Sequence, residues 1–211
     1  MEKTKVAVLV SGGGTNLQKL LEAEASGTLY SGEIVAVFSD KKDAYALTRA
    51  ENFGKFHAYI SPEGGAFEQK LSAALEECGA EMIVLAGFLR ILSADFLQKF
   101  ARPILNVHPS LIPSFCGKGF YGLKVHEAAL SRGVKVTGAT VHFVNEIPDG
   151  GEIVAQRAVE VKEGDTPEIL QRRVMEQAEW ILLPEATEKV AARIAQEKSA
   201  NAARIAEEKA R

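Results

Sequence analysis

The chain has 211 residues, of which 46% are hydrophobic and 25% are charged. This composition is typical of a globular protein with one well-filled core, so we expect a single domain. The net charge of −3 and the pI near 5.9 argue against nucleic acid as the main partner, because such a partner requires a basic surface.

The first apolar run follows two lysines and spans about six residues, which is shorter than the core of a signal peptide. No other segment approaches the roughly 20 apolar residues of a membrane span. Cys78 and Cys116 are far apart and form no CxxC motif, so neither a disulfide framework nor a zinc site is predicted. We therefore expect a cytoplasmic protein without a membrane partner.

The first part of the chain alternates between two kinds of segment. Short apolar runs rich in Val and Ile occur at residues 6–10, 34–38, 82–85 and 104–107. Helical patterns occur at residues 16–25, 44–52, 66–78 and 94–100. This alternation predicts an α/β fold with a doubly wound, mostly parallel, Rossmann-like sheet and helices on both faces.

The second part changes character after Pro113. A glycine-rich stretch at residues 114–122 leads into a predicted helix at 123–131. Two longer strands are then predicted at residues 136–145 and 152–161, joined by an ordered loop.

A further helix at residues 166–182 is predicted to end at Pro184. We accordingly divide the chain into a catalytic domain, residues 1–184, and an Ala-, Glu- and Lys-rich helical tail, residues 185–211. Within this C-terminal helical tail, the segment AARIAQEK that begins at Ala191 recurs as AARIAEEK from Ala202.

The first strand runs directly into SGGGTN at residues 11–16, and a helix follows. Glycines there allow backbone N–H groups to close on an oxyanion, and the helix N-terminus adds a partial positive charge. The motif therefore indicates either a phosphate site or simply a tight strand-to-helix turn. A dinucleotide is less favoured, because its fingerprint needs a glycine where Leu17 stands.

Asn106 and His108 lie at the end of another predicted strand, in the sequence NVHPS. Their spacing places both side chains on one face, at the edge where doubly wound sheets bind ligands. Acyl transfer requires a proton shuttle and a donor for the oxyanion, and these two residues could supply both. A serine hydrolase is not indicated, because Ser110 lies outside any G-x-S-x-G motif.

Together with Asp149 of the later PDGG motif, Asn106 and His108 resemble the catalytic set of the folate-dependent formyltransferases. The blocks SGGGTN, LAGFLRIL, NVHPSLIP and TVHFV resemble, in order, those of the branch of this family that formylates phosphoribosylglycinamide. The similarity covers approximately residues 5–184. It implies transfer of a formyl group from 10-formyltetrahydrofolate to the amine of 5′-phosphoribosylglycinamide, in de novo purine biosynthesis.

The resemblance also implies roles for individual residues. Gly14, Thr15 and Asn16 would hold the substrate phosphate. Glu179, counted back from Pro184, would bind the glycinamide end, whereas counting from Asp165 places Ala178 at that position. The folate would be bound by Leu89, Arg90, Ile91, Leu92, Asn106, Asn145, Glu146, Ile147, Pro148 and Asp149.

In the implied mechanism, Asn106 and a protonated His108 stabilise the oxyanion, and His108 exchanges the protons. The Asp149 carboxylate would raise the pKa of His108 toward the working pH. No metal is required. Both partners are small molecules, and a monomer or a homodimer is expected.

Two segments depart from the family pattern. Where some relatives carry an arginine that reaches the folate's glutamate tail, this sequence has PEGGA at residues 62–66, with no basic residue before Lys70. The stretch at residues 114–122 is also longer and richer in glycine than in many relatives.

Three alternatives are weighed against this function. A formyltetrahydrofolate deformylase would share the Asn, His and Asp set, but it would carry a regulatory domain before the first strand, which begins here at Lys5. A methionyl-tRNA formyltransferase would need a second, basic domain after the first. A nucleotide-binding module without activity would explain SGGGTN but neither NVHPS nor PDGG.

Overall fold

The computed structural model describes residues 2–209. Seven strands of this part of the chain form one sheet: β1 (Thr4–Val10), β2 (Gly32–Ser39), β3 (His57–Tyr59), β4 (Met82–Leu85), β5 (Ile104–His108), β6 (Val136–Phe143) and β7 (Ile153–Glu160). Their order is β3-β2-β1-β4-β5-β6-β7. The first five strands are parallel, whereas β6 and β7 run antiparallel to their neighbours.

Among the described residues, seven α-helices accompany the sheet: α1 (Thr15–Ala25), α2 (Tyr45–Asn52), α3 (Phe67–Glu77), α4 (Ala94–Phe100), α5 (Leu123–Arg132), α6 (Pro167–Val174) and α7 (Trp180–Lys209). A 3₁₀ turn at Glu63–Gly65 precedes α3, and a π turn at Met175–Glu179 joins α6 to α7. Within residues 2–209, no helix has the length and apolar character needed to cross a membrane.

Side chains of β1 alternate between two hydrophobic clusters. Val6 and Val8 pack with residues of α1, α2, α5, α6 and α7, whereas Ala7 and Leu9 pack with residues of α3 and α4. Because successive strand residues point to opposite faces, these clusters are the two faces of the sheet. The predicted doubly wound α/β fold with a helical tail is confirmed.

The strand order reverses between β1 and β4, which is the position where open α/β sheets form a ligand-binding crevice. The loops that follow these two strands are tied together there. Ser11 N–H donates to the Gly87 carbonyl at 3.1 Å, and Leu89 N–H donates to Ser11 Oγ at 3.0 Å. The fold therefore brings SGGGTN beside the segment that begins LAGFLRIL.

Most predicted element boundaries lie within two residues of the observed ones, but β3 was not predicted. Its three residues, His57–Tyr59, contain no apolar run that would mark a strand. β3 instead forms by pairing with β2, a tertiary contact.

The prediction that a helix ends at Pro184 is wrong, because Pro184 lies inside α7. An interior proline costs about 3 kcal/mol. Leu182, Leu183 and Ala186 are at most 5% exposed on either side of it, and each buried leucine contributes about 1.5–3 kcal/mol. Packing therefore outweighs the local penalty.

The tail does not stand apart from the core. Val190 and Ala191 belong to the same hydrophobic cluster as the leucines of α1, and Ala195 is also buried. Thr4 Oγ1 donates to the Ala191 carbonyl at 2.8 Å. The second copy of the repeated segment differs, since residues 201–208 are exposed and Ile205 is 47% accessible. Only the first copy contributes to the core.

We expect truncation after Glu188 to lower the free energy of unfolding by about 3 kcal/mol, because it removes these buried contacts. Truncation after Ser199 is the matched control and should leave stability unchanged, because the described residues beyond it are exposed. Urea unfolding of both truncated chains measures the difference. Equal stability of the two would show that residues 189–199 add nothing to the fold.

Candidate functional site

A cleft of about 690 Å³ opens at the carboxyl ends of β1, β4 and β5. Nearly all of the site residues predicted from the sequence line it: Thr15, Asn16, Leu89, Arg90, Ile91, Leu92, Asn106, His108, Asn145, Glu146, Ile147, Pro148, Asp149 and Glu179. Gly14 is next to Thr15 but is not itself part of the lining. Residues separated by most of the chain therefore meet in one cavity.

Asn106 is held by a histidine that the sequence reasoning missed. It pairs with His142 across the β5–β6 register, and its Nδ2 lies 3.1 Å from His142 Nε2. His142 Nδ1 faces the Phe143 carbonyl at 2.8 Å, so that nitrogen carries the hydrogen. In the neutral ring Nε2 is then an acceptor, and the Asn106 amide donates to it.

His108 is 4% exposed, and both of its ring nitrogens face polar groups. Nε2 lies 2.9 Å from the Phe115 carbonyl and therefore donates to it. Nδ1 lies 3.5 Å from Asp149 Oδ2, which is longer than a direct hydrogen bond. In the neutral ring Nδ1 is thus the basic nitrogen, directed toward the carboxylate.

Burial lowers the pKa of His108 below its ordinary value, although the Phe115 carbonyl and the Asp149 carboxylate act in the opposite direction. The expected influence of Asp149 is therefore present in sign. The expectation of a raised pKa is wrong, because desolvation of the imidazolium is the larger effect. His108 is accordingly neutral in the free protein at neutral pH.

Asp149 lies in a left-handed backbone conformation, with φ of 56°. The Gly117 N–H donates to its Oδ2 at 2.8 Å, and His142 Nε2 lies 3.5 Å from its Oδ1. Burial alone would raise the pKa of Asp149, but His142 in its protonated form, the Gly117 N–H and the charge of protonated His108 bring the pKa below its ordinary value. Asp149 is thus a half-buried carboxylate that stays ionised between two histidines.

The glycine-rich stretch at residues 114–122 folds over this pair. Its Phe115 carbonyl and Gly117 N–H bind His108 and Asp149 respectively, and residues 117–122 line the cleft. The loop whose conformation was undetermined from the sequence therefore fixes the orientation of both side chains.

Glu179 ends the π turn and is only 7% exposed, yet it lines the cleft. Its Oε2 accepts a hydrogen bond of 2.7 Å from Asn16 Nδ2. Burial raises the pKa of Glu179, and the Asn16 contact opposes this only in part. Ala178, the position reached by counting from Asp165, is fully buried and does not reach the cleft.

Gly14 shapes the loop at the end of β1. Its φ is 72°, and a Cβ there would approach Ala46 Cβ to 2.6 Å. Both the left-handed conformation and the close approach of α2 therefore require glycine.

A smaller cavity of about 160 Å³ lies between the 3₁₀ turn and the loop after β4. Arg90 lines it, with its guanidinium carbon 5.1 Å from the centre of the Phe67 ring. The expectation of no basic group near residues 62–66 before Lys70 holds along the sequence but not in space. The sequence did not indicate Arg90 near residues 62–66, because it lies in another loop that is distant along the chain.

Further lining residues escaped the sequence reasoning. Gln171 and Met175 share the face of α6 and the π turn that leads to Glu179.

Near the site, burial and the charge of protonated His108 lower the pKa of His126 to about 4, so this histidine stays neutral. Across residues 2–209, no group of His, Cys, Asp and Glu has an arrangement that could hold a metal ion.

Comparison with known proteins identifies relatives of the chain in one family. A family profile described as formyl transferase matches residues 4–187. The chain is 41% identical over 178 residues to phosphoribosylglycinamide formyltransferase, chloroplastic, of Arabidopsis thaliana, covering 82% of this chain and 61% of that protein. It is 46% identical over 193 residues to the trifunctional purine biosynthetic protein adenosine-3 of Gallus gallus, covering 90% of this chain and 18% of that protein.

Among solved structures, phosphoribosylglycinamide formyltransferase from Brucella melitensis is 42% identical, with a TM-score of 0.81. The superposition covers 90% of this chain and 97% of that chain. Similarity thus extends over the sheet, the cleft and most of the helices.

Proposed function

The chain belongs to the formyl transferase family, and from this premise we propose that it transfers a formyl group from 10-formyltetrahydrofolate to the amine of 5′-phosphoribosylglycinamide. The observation that carries the proposal is the set of residues that line the larger cleft. Thr15 and Asn16 of SGGGTN, the buried Glu179 and the trio of Asn106, His108 and Asp149 all line it.

The phosphorylated substrate fits the part of the cleft near α1. SGGGTN would bind the phosphate through backbone N–H groups at the helix N-terminus, as proposed for Gly14, Thr15 and Asn16. Glu179 would accept a hydrogen bond from the glycinamide amine. A buried carboxylate suits this role, because an amine provides donors and a positive charge in its protonated form.

The formyl donor would occupy the part of the cleft between residues 89–92 and 145–149. Leu89, Ile91 and Ile147 are more than 60% exposed there, and they offer apolar contact to an aromatic ligand. Backbone groups of the two segments would bind the pteridine edge. The Arg90 guanidinium would pair with a carboxylate of the glutamate tail, which supplies a cation despite the absence of one at residues 62–66.

Attack begins from the neutral amine, whose pKa of about 8 leaves an appreciable fraction unprotonated at neutral pH. The amine nitrogen bonds to the formyl carbon, and the carbonyl oxygen becomes an oxyanion. The second N–H of the Asn106 amide would stabilise this oxyanion while His142 holds the first. One such donor is worth roughly 3–4 kcal/mol of barrier.

Collapse of the intermediate requires a net transfer of one proton from the attacking nitrogen to the departing folate nitrogen. Neutral His108 would accept the first proton at Nδ1 and return it to the leaving nitrogen. Asp149, ionised and 3.5 Å away, would stabilise the imidazolium that exists between the two transfers. This order of events replaces the protonated starting state expected from the sequence.

A formyl-transfer assay with and without phosphoribosylglycinamide tests the proposal. We expect tetrahydrofolate release that depends on this substrate, together with formation of the N-formyl product. Release of formate at the same rate without the substrate would identify a hydrolase. Binding of either ligand without turnover would identify a module that lacks the activity.

The phosphate assignment predicts that Gly14→Leu raises the KM for phosphoribosylglycinamide by about tenfold or more, because the side chain forces the loop away from α2. The KM for the folate should change much less. Gly133→Leu is the control, since Gly133 has φ of 75° at the end of α5 and open space around it. Equal loss of both affinities in a folded Gly14→Leu protein would contradict the assignment.

We propose that residues 1–184 contain the chemistry and that the tail supports it through stability alone. The chain truncated after Glu188 should therefore retain kcat within a few-fold of the full chain, measured at a temperature where it still shows cooperative melting. Location in the cytoplasm and a monomeric or homodimeric state stay predictions.

A further inference from the structure

Residues of α2 and α1 donate hydrogen bonds to the carbonyl groups of the SGGGTN loop. Ala46 N–H donates to the Gly12 carbonyl at 3.1 Å, and Arg49 Nε donates to the Gly13 carbonyl at 2.8 Å. The Gly14 carbonyl is bound at 2.9 Å by the N–H of Gln18 in α1. Three successive carbonyl groups of the loop are therefore occupied.

The opposite edges of the same peptides remain available. In a planar trans peptide, the carbonyl of one residue and the N–H of the next point in opposite directions. The N–H groups of Gly13 and Gly14 consequently point away from α2. Within residues 2–209, no backbone carbonyl accepts a hydrogen bond from the N–H groups of residues 12–16, which is the arrangement that an anion would complete.

Arg49 is itself fixed on three sides. In addition to the bond from Nε to the Gly13 carbonyl, its Nη1 donates to Gln18 Oε1 at 2.9 Å, and its guanidinium carbon lies 4.9 Å from the centre of the Tyr45 ring. A planar guanidinium held by a carbonyl, an amide oxygen and an aromatic face is well ordered. A lysine could replace its charge but not the forked hydrogen bonds.

We propose that Arg49 is a positioning residue for the substrate phosphate, because its bond to the Gly13 carbonyl turns the Gly14 N–H toward the anion. The inference rests on the proposed function only for the identity of the substrate. Arg49 acts from the side of the loop opposite the phosphate, because the Gly13 carbonyl that it binds lies in the same peptide plane as the Gly14 N–H. Its positive charge adds to the attraction for the phosphate.

The test compares Arg49→Met and Arg49→Lys with Arg204→Met, which removes a positive charge from the exposed end of α7. For phosphoribosylglycinamide, Arg49→Met should raise KM roughly tenfold, with kcat and the folate KM within a few-fold. Arg49→Lys should resemble Arg49→Met more than the wild type. Arg204→Met should behave as the wild type.

The same assay with the unphosphorylated glycinamide riboside separates positioning from general damage. Arg49→Met and the wild type should have the same kcat/KM for this substrate within about twofold, because no phosphate is bound. An equal loss for both substrates, a wild-type KM in Arg49→Met, or wild-type behaviour of Arg49→Lys would overturn the proposal.

Binding of inorganic phosphate, measured by calorimetry, keeps the test independent of turnover. Wild type and Arg204→Met should bind it with equal affinity, and both Arg49 variants should bind it more weakly. If the wild type binds phosphate in this way but transfers no formyl group, the proposed function fails while the role of Arg49 stands. Equal phosphate affinity in all four proteins would refute the role of Arg49.

Discussion

Replacing His108 by alanine is expected to lower kcat by about a hundredfold or more while leaving KM nearly unchanged, because its contacts strengthen mainly in the transition state. Asn106→Ala should have a similar effect if it removes the oxyanion donor. His57→Ala provides a control, since His57 is a half-buried histidine outside the cleft. A His108→Ala protein that melts normally and keeps its kcat would contradict the proposed mechanism.

The geometry further predicts that Asp149 acts through His108. The double variant Asp149→Asn with His108→Ala should therefore be little slower than His108→Ala alone. Removing the carboxylate also removes an influence that raises the pKa of His108, so this pKa should fall further in Asp149→Asn. The acid limb of the kcat/KM profile should then move to lower pH, because His108 must be neutral to accept a proton.

An NMR titration of His108 in folded Asp149→Asn measures this directly. An unchanged or higher pKa, or fully additive losses in the double variant, would leave Asp149 with a separate role in positioning water or folate.

Local sequence patterns predicted the sheet and the placement of Asn106 and His108 in the site, because both follow from short-range geometry. Asn106 and His108 are two positions apart on a strand, so their shared face could be read from the sequence. Their place at the carboxyl end of the sheet followed from the alternation of strands and helices.

The partners of these residues could not be predicted in the same way. In the sequence, His142 is one of several polar residues in its strand, and its contact with Asn106 depends on the antiparallel register between β5 and β6. Arg90 likewise reaches Phe67 from a different loop. Such pairs are created by tertiary packing, which no local pattern specifies.

Pro184 and Glu179 illustrate how the same packing overrides a local rule. A proline normally ends a helix, but here the π turn and the buried residues of α7 carry the helix past it. A π turn adds one residue relative to a regular helix, which explains why counting from Asp165 and from Pro184 gave different positions. The wide turn directs Glu179 to the cleft and Ala178 to the core.

The last prediction concerns the buried Glu179 carboxylate, which should affect both activity and stability. Glu179→Gln should lower kcat/KM for phosphoribosylglycinamide by roughly ten- to a hundredfold, because a hydrogen bond to a charged group is worth about 1.5–3 kcal/mol. The folate KM should be nearly unchanged. Glu176→Gln is the matched control, since Glu176 lies in the same π turn but pairs with the exposed Arg172.

The same substitution should raise stability at neutral and alkaline pH. The pKa of Glu179 is raised in the folded state, so its contribution to stability is fully present below the ordinary glutamate pKa. That contribution is lost as pH rises through the folded-state pKa, because folding then requires burial of an ionised carboxylate. Glutamine keeps the acceptor for Asn16 without the charge.

Thermal unfolding of the wild type and both variants between about pH 5 and pH 9 resolves this effect. The advantage of Glu179→Gln over the wild type should grow with pH and then level off, whereas Glu176→Gln should show no such trend. A buried group that destabilises the fold when ionised but increases activity is retained for its chemistry. A Glu179→Gln protein that is less stable at high pH, or fully active, would instead assign Glu179 a purely structural role.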